Sequence, residues 1–477
     1  MSKETSLKWI ETHEKHVIEI SDMIWDLAEL GLQEFKSSDL HASELEKNGF
    51  NVVRGVADMP TAFTATYGKG KPVVGIMGEY DALAGLSQKA TTKREPITPG
   101  APGHGCGHNI HGTSGVAAAL AVKEAMKKHE IKGTVKFFGC PAEETLVGKV
   151  FMVRDGVFKG VDAVLSHHPG QANTGHLSSY TAMNSMKFHF HGKASHAGGS
   201  PEQGRSALDA VELMDTGVNF LREHVIQEAR IHYIIENGGG QPNVVPAYAR
   251  SWYFVRAPER QQVDHIYNWM LRIADGADLM AETTHEVEFL TGCYNPLPSV
   301  SLAKLVVANM KEIGPPKYSD EDMAFAHAMS QTVSPEEKLG ALKRSKRPGW
   351  EKLVDVDIDT GITDPYGAGD VLGGSTDVGD VSWNAPTMEF NTATFPIGMS
   401  GHSWQNVACS RVGIGHKSLI FAAKTMACTA LDLMTSPEML AEVRAEFKNL
   451  TKNSKYVSPL PKDLKPPLNQ LSSVIKN

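Results

Sequence analysis

The sequence predicts an α/β fold in which one larger domain is interrupted by a smaller ferredoxin-like module, and three observations carry that prediction. Short apolar runs alternate with helix-forming segments early in the chain, as in βα units around a largely parallel sheet. Those runs end in acids or histidines instead of ordinary turn residues. From about residue 185 to 292 the order of elements changes to βαββαβ, the ferredoxin-like arrangement. At 477 residues the chain is long for one domain, so the division is a first part over 1–184, the inserted module over 185–292 and a return to the first domain over 293–477.

Ile10, Val17, Ile20, Ile24, Leu27 and Leu30 recur at helical spacings, which predicts an amphipathic helix over the opening thirty residues. A second helix is expected after Ser38. Thr61–Tyr67 alternates as a half-buried strand, Gly68-Lys69-Gly70 turns the chain, and Val73–Met77 is an apolar run of the kind a parallel sheet buries. That run ends at Gly78-Glu79-Tyr80-Asp81. Acids just past the carboxyl end of a strand are candidates for a site or for a helix cap. Gly85–Gly107 reads as a long loop that delivers His104-Gly105-Cys106-Gly107-His108 to an Ala-rich helix running from Gly112 to about His129. A helix N-terminus lowers the pKa of a nearby thiol, and Cys106 is expected to feel it. A second apolar run, Val135–Cys140, meets Pro141-Ala142-Glu143-Glu144, and a third, Ala163–Ser166, meets His167-His168-Pro169. A surface position accounts for one histidine of that pair, taken as His167.

In the module, Lys187–His191, Ile231–Ile235, Tyr248–Val255 and Glu286–Leu290 are the strands, and Ser206–His224 and Arg260–Met280 the helices. Lys193-Ala194-Ser195-His196-Ala197 turns after its first strand. Asn243-Val244-Val245-Pro246 leads into a strand that runs out at Arg256-Ala257-Pro258-Glu259. Surface duty is the ordinary role of a single His, Asn or Arg. After Ser301 helical periodicity extends to about Gln331, and the polar Ser334–Lys352 reads as a solvated excursion. Val354–Asp359 and Gly373–Asp380 look like turns around a site, Gly401-His402-Ser403-Trp404 adds an imidazole, and Lys417–Met434 is an amphipathic helix. The tail from Asn453 is expected to be loosely packed.

A net charge of -8 with no basic run argues against nucleic acid or an anionic membrane as partner. Five scattered cysteines make no disulfide framework and suit a reducing compartment. The N-terminus lacks the pattern of a secretory signal, and no stretch is expected to reach the ~20 apolar residues of a membrane span. The expectation is a cytoplasmic protein.

Cys106, His108, Glu144, His168 and His402 are five potential metal ligands, and Glu143 is a carboxylate beside them that need not be one. Two divalent ions ~3.5–4 Å apart can share a water, lower its pKa to about 7 and polarise a scissile carbonyl. A neighbouring carboxylate can move the water's proton to the leaving amine, which makes metal-assisted amide hydrolysis the natural chemistry. The motifs of competing chemistries, H-E-x-x-H, G-x-S-x-G and G-x-x-x-x-G-K-[ST], are absent from the sequence.

The ordered set G-E-Y-D-A-L, G-H-G-C-G-H-N, C-P-A-E-E, H-H-P, G-K-A-S-H-A, N-V-V-P, R-A-P-E, S-T-D-V-G-D-V-S-W and G-H-S-W-Q resembles the M20 metallopeptidase and amidohydrolase family, from the first helix to about Met434. The resemblance implies a zinc-peptidase-like catalytic domain with a mixed sheet, interrupted by a ferredoxin-like lid through which two subunits pair. It implies Cys106, His108, Glu144, His168 and His402 as ligands of two divalent ions, Glu143 as general base, and Asp81 as the residue that orients a ligand. It further implies His196 as oxyanion stabiliser, with Asn243 and Arg256 gripping a substrate carboxylate. Cys106 stands where many members are thought to use a carboxylate, which favours a softer ion; the first choice is zinc and the second manganese. The implied substrates are N-acyl or N-aroyl amino acids, p-aminobenzoyl-glutamate-like compounds foremost. The alternatives are a dipeptidase, a deacylase of other acyl specificity, or a non-catalytic or partner-dependent subunit.

Overall fold

The computed structural model describes residues 1–468. Its strands in chain order are β1 (Asn51–Arg54), β2 (Phe63–Lys69), β3 (Val73–Glu79), β4 (Gly133–Cys140), β5 (Ala163–Gly170), β6 (Ser179–Tyr180), β7 (Ala182–His191), β8 (Arg230–Asn237), β9 (Tyr248–Ala257), β10 (Thr284–Cys293), β11 (Val371–Leu372) and β12 (Thr387–Ala393). A six-stranded mixed sheet runs β1-β2-β4-β3-β5-β12. β1, β2 and β4 are antiparallel neighbours, while β4, β3, β5 and β12 are parallel. Parallel strands send their carboxyl ends the same way, so Glu79, Cys140 and His168 arrive together on one edge, where α/β sheets hold their ligands.

Helices α2 (Phe35–Lys47) and α3 (His108–His129) pack on one face of this sheet, and α1 (Ser2–Leu27) packs on α3 with Ile10, Val17, Ile20 and Ile24 turned inward as their spacing requires. α4 (Gly148–Arg154) leaves the β4 edge. Between β7 and β10, helices α5 (Ala207–Leu221) and α6 (Arg260–Ala281) pack on an antiparallel sheet of order β10-β7-β9-β8 around Phe188, Phe190, Met214, Tyr253, Val263 and Met270. This is the βαββαβ order. The periodicity after Ser301 divides into α7 (Val300–Ile313) and α8 (Asp320–Ser330), because Gly314, at φ 82, and the two prolines after it cannot continue a helix.

Three expectations are corrected by the packing. The polar stretch after Ser334 is a helix, α9 (Pro335–Ser345), capped reciprocally by Ser334 and Glu337. It packs against the body: Leu342 is its buried side chain, and a Cβ on Gly398 would lie 2.8 Å from Lys338 Cα. One inward leucine leaves no periodic signal. Later come α10 (Val378–Ser382), α11 (Trp404–Cys409), α12 (Gly413–Thr435) and α13 (Pro437–Thr451). α12 is long and apolar enough to cross a membrane by length and composition, contrary to the expectation, but its apolar residues are buried against α1, α3 and α7. A helix apolar on most sides is one enclosed by protein. The tail packs as well, since Leu460 is buried, Tyr456 donates to Asp380 Oδ1 at 2.8 Å and Arg154 Nη1 donates to Leu464 O at 2.6 Å. Residues 469–477 of that tail lie outside the described residues.

Candidate metal centre

The ends of β3, β4 and β5 bring their donors side by side, and the intervening backbone is shaped to let them meet. After β4 the chain curls through Ala142 and Leu146, both left-handed at φ 54 and 57, which swings Glu143 and Glu144 back toward the end of β3. Glu144 N–H donates to Asp81 Oδ2 at 3.0 Å, and Ala142 N–H to Glu34 Oε1 at 2.8 Å. Position 148 must be glycine there, because a Cβ would stand 1.8 Å from Pro141 O. Gly107 precedes α3 at φ 73 with Pro169 and Ser410 closely against it, so Cys106 and His108 approach the β5 end. His402, itself at φ 53, comes from the loop before α11.

The structure gathers Cys106, His108 and His168 into one group and Cys106, Glu144 and His402 into another, the donor atoms of each group lying within 4.8 Å of one another. Cys106 belongs to both. Glu143 forms a third group with Glu79 and His108. His108 Nδ1 donates to Asp81 Oδ1 at 2.8 Å, which fixes the tautomer and turns Nε2 toward the cluster. That nitrogen is buried without a hydrogen-bond partner, because Glu79 Oε2, though 3.2 Å away, is misaligned. A buried polar atom left without a partner is costly, and a bound cation would provide one.

The electrostatics point the same way. Burial, with the charges of Glu144 and Glu143, pushes the Cys106 thiol well above its ordinary value and outweighs the helix N-terminus expected to lower it. Glu144 is raised to about 7 by burial and by Asp81, against the pull of His108. Burial, with Glu79 foremost among the neighbouring charges, raises Glu143 well above the carboxylate range. A divalent ion reverses each of these shifts by favouring thiolate and carboxylate, so the donor set fits such ions.

The rest of the expected site is more dispersed. Arg256, at the end of β9, donates from Nη1 to Ser375 Oγ at 2.8 Å, and among the described residues no carboxylate lies within ion-pair distance of it. His196 and Asn243 are exposed and share a pair of loops, Ala197 N–H donating to Asn243 O at 3.0 Å. His196 Nδ1 accepts from Gly198 and Gly199 N–H at 3.2 and 3.0 Å, which leaves the proton on Nε2. Those loops flank the Tyr248 end of β9, roughly 27 Å from Arg256 at ~3.4 Å per residue. One chain therefore cannot close Asn243 and Arg256 on the same carboxylate.

Several residues of the centre carry too little sequence signal to be singled out. Glu79, ambiguous in sequence between cap and site, is fully buried with its Oε1 2.7 Å from Lys149 Nζ, and Lys149 also contacts Asp377 Oδ1. Glu79, His111 and Glu389 form a further group of donor atoms within 4.8 Å. A charged residue inside an apolar segment, as Lys149 is in V-G-K-V-F-M-V and Glu389 in T-M-E-F, is the signal that could have found them. His167 is not at the surface: its Nε2 bonds Thr392 Oγ1 at 2.7 Å and its Nδ1 faces Ser114 Oγ at 3.3 Å, both buried. Because β5 is covered on both faces, alternation turns His167 into the core instead of to solvent. His104 likewise serves packing, with Nε2 on Ile24 O at 3.0 Å.

Comparison with known proteins gives four findings. A model of peptidase family M20/M25/M40 matches residues 75–352. The chain is 44% identical over 467 residues to the B subunit of p-aminobenzoyl-glutamate hydrolase from Escherichia coli (strain K12), covering 96% of this chain and 97% of that one. It is 32% identical over 202 residues to the A subunit of the same organism's p-aminobenzoyl-glutamate hydrolase, covering 40% and 46%. Among solved structures, a dinuclear metal-binding peptidase of the M20 family from Bacillus subtilis shares the fold with a TM-score of 0.58 at 16% identity, covering 89% of this chain and 99% of that one.

Proposed function

The chain belongs to peptidase family M20/M25/M40, a family of hydrolases, and on that footing we propose that it is a two-metal amidohydrolase cleaving N-acyl or N-aroyl amino acids, p-aminobenzoyl-glutamate-like substrates foremost. The observation that carries the proposal is the pair of donor groups sharing Cys106, with Glu143 beside them. Cys106, His108 and His168 with Glu144 and His402 would hold two divalent ions, zinc first and manganese second. When bound, such ions supply an acidified water and a polarised scissile carbonyl.

The chain's own residues do the rest. Glu143 takes the proton of the attacking water and delivers it to the leaving nitrogen, and Asp81 holds His108 in the required tautomer. Arg256, with no carboxylate partner among the described residues, takes the α-carboxylate of the amino-acid half. His196 offers its Nε2–H to the oxyanion, and Asn243 stands with it. Their distance from Arg256 along β9 favours delivery from a second chain, so the proposed assembly is a dimer through the lid, formed with a like chain or with a homologous one resembling the A subunit of the related hydrolase. The compartment proposed is the cytoplasm, in keeping with five cysteines that are all free.

The test is a hydrolysis screen of N-aroyl amino acids, N-acyl amino acids and dipeptides with the metal-replete chain expressed alone, beside Glu143→Gln. The amide keeps the shape of the base and removes its function, so turnover should fall about 10²–10⁴-fold with metal content unchanged. A rate within a few-fold of the parent removes Glu143 as the base. Activity that emerges only on adding a homologous chain identifies a partner-dependent protein.

A further inference from the structure

A cavity of about 380 Å³ opens beside Cys106 and His168. Much of its lining comes from the segment whose composition reads as solvated: Leu342 on α9, Leu353, Tyr366, and Leu372 in β11, joined by Tyr180 and Phe395 from the body of the domain. The segment is held in place by its own ion pairs, Lys346 to Asp370 and Arg347 to Asp359, and by Ile397 N–H donating to Asp357 O at 2.8 Å. It is therefore a built wall.

The cavity contrasts with the neighbourhood of Arg256. No carboxylate lines it, and its one guanidinium, Arg347, is already paired at 2.8 Å to Asp359 Oδ2, with side chains 11% and 5% exposed. His176, which also lines it and meets the Tyr366 ring edge-on at 5.5 Å, is held below its ordinary value by burial and is neutral at pH 7. Beside the amides and hydroxyls of Gln171, Thr174, Ser345, Asn391 and Asn406, what the cavity offers an occupant is aromatic and aliphatic surface with no free side-chain charge. Away from the metal donors Cys106 and His168 a glutamate would find no free side-chain cation for its carboxylates, whereas a flat neutral ring would meet tyrosines and leucines. The volume falls in the range of small-molecule sites, far more than an acetyl group fills.

We propose that residues 335–372 build the acyl-group subsite and that this subsite selects an aromatic acyl group, seated among Tyr180, Tyr366, Leu342 and Leu353, while the amino-acid half turns toward Arg256. The inference rests on the amidohydrolase proposal above and adds to it which half of the substrate goes where and which residues choose it.

Two variants test it in the metal-replete protein. Tyr366→Ala removes a ring from the wall, and Leu353→Trp fills the space without removing one, so a folding failure of the first leaves the second decisive. Two quantities are read: the ratio of kcat/KM for N-(p-aminobenzoyl)-L-glutamate to that for N-acetyl-L-glutamate, and calorimetric binding of p-aminobenzamide and of L-glutamate. The ratio should fall roughly 10- to 100-fold in each variant, and p-aminobenzamide should weaken by a similar factor while L-glutamate does not. An unchanged ratio with unchanged p-aminobenzamide binding overturns the subsite. Loss confined to L-glutamate overturns it too, because the cavity would then hold the amino-acid half. If the parent hydrolyses neither substrate, the amidohydrolase proposal falls, and the binding measurement still decides the cavity.

Discussion

Replacing Lys149 by methionine strands two buried carboxylates. The Lys149 ammonium lies 2.7 Å from Glu79 Oε1 and in contact with Asp377 Oδ1, all three side chains being fully buried. Methionine approximates its length and flexibility, so the variant removes charge with little change in packing. Breaking a buried pair by deleting one partner typically costs about 3–5 kcal/mol, and here one cation serves two acids, so the upper part of that range is expected in metal-free protein. The acids do not behave alike: burial raises Asp377 to about 6 despite Lys149, whereas His111, Lys149 and His108 together overcome the burial of Glu79 and hold it below the carboxylate range. Without the ammonium both folded values rise relative to the unfolded chain, so the native state binds more protons and the loss grows as pH rises from about 5 to 8. Urea-unfolding midpoints of chelator-treated parent, Lys149→Met and Lys149→Met/Asp377→Asn at those two pH values provide the assay. The double variant should recover part of the loss, since a neutral amide replaces one stranded carboxylate. A loss under about 1 kcal/mol at the higher pH, or a double variant no more stable than the single, refutes the reasoning.

Arg256→Ala should weaken substrates with a free α-carboxylate far more than their amides, roughly 10-fold or more in kcat/KM, and equal losses for both would remove Arg256 from carboxylate binding. Co-expressing differently tagged Glu143→Ala and His196→Ala chains should restore activity in mixed dimers, because one site of each then has both groups; confirmed mixed dimers as inactive as either parent would show that His196 does not act across the dimer. Glu144→Ala and His168→Ala should each lower bound metal in dialysed protein by elemental analysis, and two equivalents retained in both would disqualify the ligand set. His41 is fully buried and held at about 3 by desolvation, so it stays neutral in the folded state while the unfolded chain takes up a proton below about 6.5. Its stabilising contribution is complete above that value and is lost as pH falls toward 3, by up to about 1.4 kcal/mol per unit. His41→Gln should flatten the acid limb of the stability curve by that one proton, and superimposable limbs would contradict it.

The strand-end donors were legible in sequence because each sits where a short apolar run stops and a loop rich in Gly or Pro begins, a pattern carried by neighbours in the chain. Cys106, His108, Glu143, Glu144, His168 and His402 needed no tertiary information to be nominated. The same holds for the βαββαβ order of the module, which local periodicity writes out element by element. Lys149, Asp377 and Glu389 differ, since nothing near them says that a charge in an apolar segment meets another charge far away; the Lys149–Asp377 contact joins residues 228 positions apart.

The sequence by itself determined most of the elements, though not α9 or the break between α7 and α8, and it showed which ends carry donors and which chemistry those donors can support, because alternation, helical spacing and turn residues are properties of short windows. Tertiary structure decided what those windows could not contain. It turned His167 inward by covering β5 on both faces, raised the Cys106 thiol by burying it beside Glu144, and made a polar helix into a cavity wall through one leucine. It also set His196 and Arg256 at opposite ends of the four-stranded sheet. Burial and long-range distance are products of how faces are covered, and a side chain's surroundings exist only once the whole chain has closed around it.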